Sequence, residues 1–190
     1  MAVRRQALIA AAIESIHERG SIDVTVSQIA RRAGVSSALA HHYFGAKDDL
    51  IVATMRHLLA VLSQHVRDRL RATDDPRARI SAIIDGSFTA DQMQPAVMSA
   101  WLVFYAMARA SPRAARLHRA YARRLQSNLV AELRRLMPHA EALRVAGSTA
   151  ALIDGIYLRC ALAERAHLPA DAIACVEDYV TRQLTDTPHA

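Results

Sequence analysis

The chain has 190 residues, a length that allows one small domain and a larger one. Hydrophobic residues make up 52% of it, which is enough to form a large core. Basic residues outnumber acidic ones by 24 to 18, and the pI near 10.0 favours a polyanionic partner. The two cysteines exclude a disulfide framework, and there is no signal peptide or apolar run of membrane-spanning length. We therefore expect a cytoplasmic protein without a membrane partner.

Residues 25–47 predict two short helices around a tight turn. Thr25 and Gln28 have the spacing of a capping box, and apolar residues follow at i, i+3, i+4 and i+7. Gly34 stands where the chain leaves the first helix, and Ser36 can cap the second. This pattern is typical of a helix-turn-helix, whose second helix enters the DNA major groove. An αα-hairpin inside a helical bundle is the alternative.

The remaining sequence also predicts helices. A first helix over 4–19 precedes the helix-turn-helix, and a long fourth helix runs over 46–72, before Pro76. Proline-containing breaks separate five further helices, predicted over 77–90, 94–109, 112–136, 140–165 and 170–184, and residues 185–190 read as a polar tail. We predict an all-α fold of about nine helices, with a three-helix head over 1–46 and a helical bundle for ligand binding and dimerisation over 47–190.

The segment that closes the helix-turn-helix resembles the TetR family of bacterial regulators. Its residues are Tyr43, Phe44, Gly45, Ala46 and Lys47, followed by two aspartates that open the long helix. The resemblance implies that residues of the second helix face base edges and that others contact phosphates. His42 and Phe44 are expected to face the core of the head. The implied DNA-binding residues are Thr25, Ser27, Gln28, Ser36, Ser37, Leu39, His41, Tyr43 and Lys47.

Aromatic residues are scarce, yet four of them lie between positions 88 and 105. Three share one helix face by their i, i+3, i+4 spacing, and a later helix adds a tyrosine and an aspartate. Ring faces and a carboxylate are what a quaternary ammonium ion needs, because that ion cannot donate strong hydrogen bonds. The predicted ligand-binding residues are Phe88, Trp101, Phe104, Tyr105, Asp154 and Tyr157. An ordinary aromatic core is the alternative, and so is an ion pair between Asp154 and an arginine at a dimer interface.

Segments of the bundle resemble one branch of the TetR family, the BetI-like, choline-responsive repressors of glycine betaine synthesis. These segments are MSAWLVFY at 98–105, YARRLQSNLVAELRRL at 121–136 and TAALIDGIYLR at 149–159. The resemblance implies a homodimeric repressor that binds an inverted-repeat operator in double-stranded DNA. Choline would release it from the genes for glycine betaine biosynthesis and choline transport, an osmoprotection system. The alternative is a TetR-family regulator that senses another small cationic or apolar ligand.

Small residues recur every four positions on the predicted helix over 140–165, and this stripe allows another helix to approach closely. In the TetR family the last two helices form a two-fold dimer interface. The predicted interface residues are Gly147, Ala151, Gly155, Leu162, Val176 and Val180, and packing within the chain is the alternative. The arginines of the helix over 112–136 favour a solvated face over a DNA-binding one.

No feature of the sequence indicates an enzyme. There is no phosphate-binding glycine loop and no nucleophile in a recognisable setting, and a di-iron site needs Glu-x-x-His pairs on facing helices. Glu14 and His17 form such a pair, but on the helix that braces the head. His41 and His42 point about 100° apart on a helix, so we predict no metal site there. From these observations together we predict no catalytic residue and no cofactor.

Overall fold

The computed structural model describes residues 2–21, 23–162 and 168–185, and these form nine α-helices and no β-strand. The predicted all-α fold is confirmed. The helices are α1 (Ala2–Arg19), α2 (Val26–Arg32), α3 (Ser37–Phe44), α4 (Lys47–Leu70), α5 (Pro76–Ser87), α6 (Pro95–Ala110), α7 (Pro112–Leu133), α8 (His139–Leu162) and α9 (Pro169–Thr185).

The local signals around the helix-turn-helix act as predicted. The Thr25 hydroxyl accepts a hydrogen bond from the Gln28 backbone N–H at 3.2 Å, and the Gln28 side chain accepts one from the Thr25 N–H at 2.9 Å. Ser36 caps α3 by accepting from the Leu39 N–H at 3.2 Å. Gly34 has φ 67°, a conformation that favours glycine, so the turn between α2 and α3 needs this residue.

Helix ends lie within three residues of their predicted positions wherever the structure describes them. The largest differences are at α5 and α7, which end at Ser87 and Leu133, each three residues before the predicted end. Residues 134–136 form turns instead. Residues 163–165 of the predicted eighth helix and residues 186–190 of the predicted tail lie outside the described residues.

The first of two compact units comprises residues 1–60 and 94–117. Within it α1 packs against α6, and His17 Nδ1 lies 2.9 Å from the Ser99 hydroxyl. An ion pair joins Arg113, in the first turn of α7, to Asp49, in the first turn of α4. Packing thus groups α6 with the three helices of the head, and the boundary between the DNA-binding and ligand-binding parts at residue 46 stays a prediction.

The second compact unit comprises residues 61–93 and 118–190. Here α9 packs against both α5 and α8. Helix α5 also passes very close to α4, because a Cβ added at Gly86 would lie 2.7 Å from Val66 Cγ2 and 3.0 Å from Val66 Cα. Glu132 of α7, whose side chain is 9% exposed, accepts from Arg79 Nε at 2.8 Å. The two clusters of aromatic residues described below lie one in each unit.

Candidate DNA-binding and effector sites

The predicted DNA-binding residues all belong to the first unit and all retain exposed surface. Their helices are positioned by a pair of hydrogen bonds between α1 and α2, in which Arg32 donates to both carboxylate oxygens of Glu18, at 2.6 Å for the Nη2–Oε1 bond. This contact lowers the pKa of Glu18. The exposed positions are Thr25, Ser27, Ser36 and His41, and the partly exposed ones are Gln28, Ser37, Leu39, Tyr43 and Lys47.

Hydrogen bonds within the head limit what some of these side chains can offer to DNA. The hydroxyls of Thr25 and Ser36 already accept from backbone N–H groups at the helix caps. His41 Nδ1 lies 2.8 Å from the carbonyl oxygen of Gly45. A carbonyl only accepts, so Nδ1 carries the proton, and Nε2 of the neutral ring is an acceptor. His41 can therefore accept from a base donor.

The two residues expected in the core of the head have different environments. Phe44 is 8% exposed, and the Arg5 guanidinium lies over its ring, 5.3 Å from the centroid. His42 is exposed instead, and its ring contacts that of Tyr43 edge-on at 5.9 Å. The prediction for His42 is wrong, because the buried side of this short helix is filled by Ala40 and Phe44.

A first aromatic cluster lies on α6, in the same compact unit as the head. The Trp101 ring stands edge-on to Phe104 at 6.0 Å and tilts against Tyr105 at 5.9 Å. Trp101 and Phe104 are each 1% exposed, and Tyr105 is partly exposed. The shared face predicted from their spacing is thus present.

A second aromatic cluster lies in the other unit. The rings of Phe88 and Tyr157 stack at 5.5 Å with an angle of 24° between their planes. The Tyr157 hydroxyl donates to the Ser87 carbonyl oxygen. Burial raises the pKa of Tyr157, and the charges of Asp91 and Asp154 raise it further, so this phenol stays neutral.

The carboxylate of Asp154 belongs to this second cluster. Asp154 lies one helical turn before Tyr157 on α8, is half-buried, and accepts a hydrogen bond from the Tyr121 hydroxyl at 2.9 Å. Tyr121 in turn lies against the ring of His118 at 6.3 Å. Neither residue was predicted from the sequence. Tyr121 is a single tyrosine in an arginine-rich helix, and no local pattern connects it to Asp154, 33 residues later.

The predicted interface residues divide into exposed and buried sets. Ala151 and Leu162 are exposed, the latter to 66%, and a Cβ added at Gly147 or Gly155 would meet no described atom within 4 Å. Val176 and Val180 are 0% exposed. Because both valines face the interior of their own unit, they offer no surface to another chain, and the predicted interface is corrected accordingly.

Helix α8 keeps much of its apolar surface outside the core. A groove of about 420 Å³ runs between α8 and α9, lined by residues that include Leu152, Gly155, Cys160 and Cys175. Among the described helices, α8 alone is long and apolar enough to cross a membrane by length and composition. Its most apolar stretch of 18 residues has a mean hydropathy of 1.3, and 33% of that stretch is buried. The polar residues Glu141, Arg144, Asp154 and Arg159 interrupt this apolar surface.

Over residues 2–21, 23–162 and 168–185, no three His, Cys, Asp or Glu side chains lie close enough together to hold a metal ion.

Comparisons with known proteins match both parts of the chain. Residues 8–54 match the family model for bacterial regulatory proteins of the tetR family, and residues 76–185 match that for the C-terminal part of BetI-type transcriptional repressors. The HTH-type transcriptional regulator BetI of Brucella anthropi is 53% identical over 182 residues, which cover 96% of this chain and 94% of that protein. These proteins are transcriptional regulators, not enzymes.

Solved structures share the fold. A transcriptional regulator from Pseudomonas aeruginosa PAO1 superposes with a TM-score of 0.82 at 25% identity, covering 96% of this chain and 90% of its own. A transcriptional regulator from Saccharomonospora viridis, solved in complex with choline, superposes with a TM-score of 0.79 at 18% identity, covering 95% of this chain and 97% of its own.

Proposed function

The chain belongs to the TetR family of bacterial regulatory proteins and carries the C-terminal domain of BetI-type transcriptional repressors, and from that premise we propose that it is a choline-responsive repressor. A homodimer in the cytoplasm binds an inverted-repeat operator in double-stranded DNA and leaves it when choline binds. The regulated genes are those for glycine betaine biosynthesis and choline transport, which provide osmoprotection. A TetR-family regulator of another small cationic or apolar ligand is the second candidate, favoured by the strongly apolar clusters.

The exposed side of α3 supports the proposed DNA contact. Leu39 and His41 present an apolar group and a ring nitrogen on this short helix, which suits base edges in the major groove. Lys47 begins α4 and supplies a phosphate contact that carries no sequence information. The proposed DNA-binding residues are those expected from the sequence, with the cap hydroxyls of Thr25 and Ser36 mainly ordering the helices.

The unfilled surface of α8 supports the proposed homodimer. Gly147 and Gly155 have open space where a Cβ would stand, and Leu143, Leu158 and Leu162 are exposed to 43%, 42% and 66%. Burying such side chains against a second copy is favourable by about 25 cal/mol per Å² of apolar surface. The proposed interface therefore uses the exposed face of α8 and the groove beside α9.

Replacing Gly155 by leucine tests this interface. A large side chain in the open space should prevent close approach, so Gly155→Leu should be a folded monomer in light scattering. Ala131→Leu, on an exposed position of α7, is the matched control and should remain dimeric. A dimeric Gly155→Leu protein would place the interface elsewhere.

The observation that carries the effector proposal is a carboxylate beside buried rings. Asp154 lies one turn from Tyr157, which stacks on Phe88. A trimethylammonium group placed against these rings gains cation–π attraction of about 2 kcal/mol when desolvated, and Asp154 supplies the opposite charge. The choline complex of the Saccharomonospora viridis regulator supports a ligand of this kind in the same fold. The rings of Trp101, Phe104 and Tyr105 are the second proposed set of effector contacts.

The contact between α6 and α1 suggests how effector binding changes the position of the DNA-binding head. Trp101 lies two residues after Ser99, which lies 2.9 Å from His17 of the helix that braces the helix-turn-helix. A displaced α6 therefore acts directly on α1. A ligand shifts such an equilibrium only by its differential affinity for the two states, and moving the operator from nearly all bound to nearly all free takes about 5.5 kcal/mol.

Release of operator DNA by choline tests the function. Fluorescence anisotropy on DNA from upstream of the protein's own gene should show release by choline but not by its neutral isostere, in which carbon replaces nitrogen. Trp101→Ala should still bind the DNA yet respond no longer, and Trp101→Phe should respond in part because a smaller ring still offers a face. Equal release by the isostere would favour the second candidate, a regulator of apolar ligands.

A further inference from the structure

The longest stretch of this chain without an acidic residue spans the junction of α6 and α7. No aspartate or glutamate occurs between Asp91 and Glu132, while six arginines do. Three of them, Arg109, Arg113 and Arg116, belong to the same compact unit as the DNA-binding head. We call these three residues the arginine corner.

The arginine corner is fastened beside the start of α4. Arg113 makes an ion pair with Asp49, which lies two residues after Lys47, the proposed phosphate contact. Ala114 of the same helical turn is 0% exposed, so the beginning of α7 is anchored in the unit. The corner thus lies beside the first turn of α4, the turn that Lys47 begins.

The other two guanidinium groups of the corner face solvent. Arg109, in the last turn of α6, and Arg116, one turn into α7, are exposed, and within the described ranges neither has an acidic partner. Asp49 neutralises one of the three positive charges, so the corner retains two. The two positive charges that Asp49 does not neutralise favour a polyanion as the partner.

The chemistry of the corner favours nucleic acid over a lipid surface. A planar guanidinium group can donate two parallel hydrogen bonds to two oxygens of one phosphate. A membrane-binding surface also needs apolar anchors, and the large exposed hydrophobic side chains, Val3, Leu143, Leu158, Leu162 and Leu168, all lie outside α6 and α7. The corner offers charge alone.

We propose that Arg109 and Arg116 bind backbone phosphates of duplex DNA that flanks each operator half-site. The inference rests on the proposed DNA-binding function and extends it, since these residues lie outside the helix-turn-helix. Each contact releases counterions from DNA, so it adds about 0.9 to the slope of log affinity against log salt concentration. The contacts carry no base specificity, because phosphates are the same at every position.

Salt-dependent binding to long and trimmed DNA tests the proposal. The operator is first located by footprinting on the DNA upstream of the protein's own gene, and two fragments are then made, one with and one without flanking base pairs. Each homodimer carries two copies of each arginine, so Arg109→Gln and Arg116→Gln should each lower the salt slope by about one unit per half-site, or about two units per bound dimer, on the long fragment. On the trimmed fragment they should match the wild type. Arg134→Gln, an exposed arginine in the other unit, is the control and should change neither slope.

The outcomes separate the inference from the proposed function. If the wild type binds the operator and both variants keep its slope on the long fragment, the inference is wrong while the repressor function stands. Wild-type protein that does not bind its upstream DNA would overturn both. A wild type that binds anionic phosphatidylglycerol vesicles, with binding lost in Arg116→Gln and operator binding unchanged, would identify a membrane as the partner and contradict the proposal.

Discussion

Asp154→Asn removes the negative charge of the proposed effector site and leaves the shape of the side chain almost unchanged. Tyr121 can still donate its hydrogen bond to the amide oxygen, so the fold around α8 should persist. Two unit charges about 5 Å apart interact by about 3 kcal/mol at an effective dielectric constant near 20. Since Asp154 is half-buried, solvent reduces this value, and we expect a loss of about 2 kcal/mol, or roughly 30-fold in choline affinity.

Calorimetric titration of choline into wild type and variant measures this loss directly. Affinity for the neutral isostere should be the same in both proteins, because only the charge has changed. Tyr121→Phe should weaken choline binding by a smaller factor, about fivefold, since it removes one hydrogen bond that orients the carboxylate.

Asp178→Asn serves as the control, because Asp178 is an exposed acid of α9 that accepts from Arg182 at 2.9 Å. It should bind choline like the wild type. An Asp154→Asn protein whose choline affinity falls less than twofold would refute recognition of the cation by this carboxylate.

Four further substitutions test the DNA contact, the packing of α5 and a partly buried carboxyl group. Lys47→Ala should weaken binding to all DNA sequences alike and lower the salt slope by about one unit per half-site, whereas His41→Ala should change base preference, both measurable by anisotropy on operator variants. Gly86→Ala should lower the free energy of unfolding by about 1–3 kcal/mol in urea titration, because its Cβ would overlap backbone as well as side-chain atoms of Val66. Asp85→Asn should stabilise the protein at neutral pH. Burial raises the pKa of the Asp85 carboxyl, and the negative charge of Glu177 raises it further.

The sign of the Asp85 effect follows from proton binding. A raised folded-state pKa means that the native state holds the proton more tightly, so stability falls as the pH rises above the ordinary value of 3.8. The advantage of asparagine should therefore be full at neutral pH and vanish below that value. Urea titrations across this pH range would show it, and an advantage that is constant with pH would contradict it.

Gly147→Ala is the control for Gly86→Ala. Its Cβ meets no described atom, and alanine is favoured over glycine in a helix by about 1 kcal/mol. Because Gly147 lies in the proposed dimer interface, both alanine variants are compared in the Gly155→Leu protein, which we expect to be monomeric, and there Gly147→Ala should be slightly stabilising. If Lys47→Ala changed the base preference and His41→Ala changed only the salt slope, the roles assigned to these two residues would be reversed.

Helix positions could be predicted from the sequence because their signals are local. Thr25, Ser36 and Asp75 cap the helices that follow them with their own side chains. Prolines begin four of the helices from α5 onward, so the breaks were visible as well. The face shared by Trp101, Phe104 and Tyr105 follows from helical spacing alone.

Contacts between distant parts of the chain could not be predicted in this way. The Tyr121–Asp154 hydrogen bond joins α7 to α8, and nothing in the spacing around Tyr121 indicates it. Likewise, an apolar stripe such as that of Val176 and Val180 looks the same whether it faces its own core or another chain. His42 was misplaced because a helix of two turns has room for few buried side chains.

The grouping of α6 with the head is another consequence of tertiary packing. A boundary at residue 46 follows from the end of the helix-turn-helix pattern, whereas the packing of α1 against α6, which begins at Pro95, joins segments far apart in the sequence. This arrangement gives the proposed switch its physical basis, because the helix that carries Trp101 touches the helix that braces the DNA-binding residues.

The central claim is that choline and operator DNA compete through the conformation of one protein. Coupling between two binding sites is reciprocal, so operator DNA must weaken choline binding by the same factor by which choline weakens DNA binding. Calorimetric titration of choline into the protein, alone and saturated with operator DNA, measures this factor. We predict that it equals the factor obtained from anisotropy of the DNA with and without saturating choline. Choline affinity unchanged by operator DNA would contradict the account.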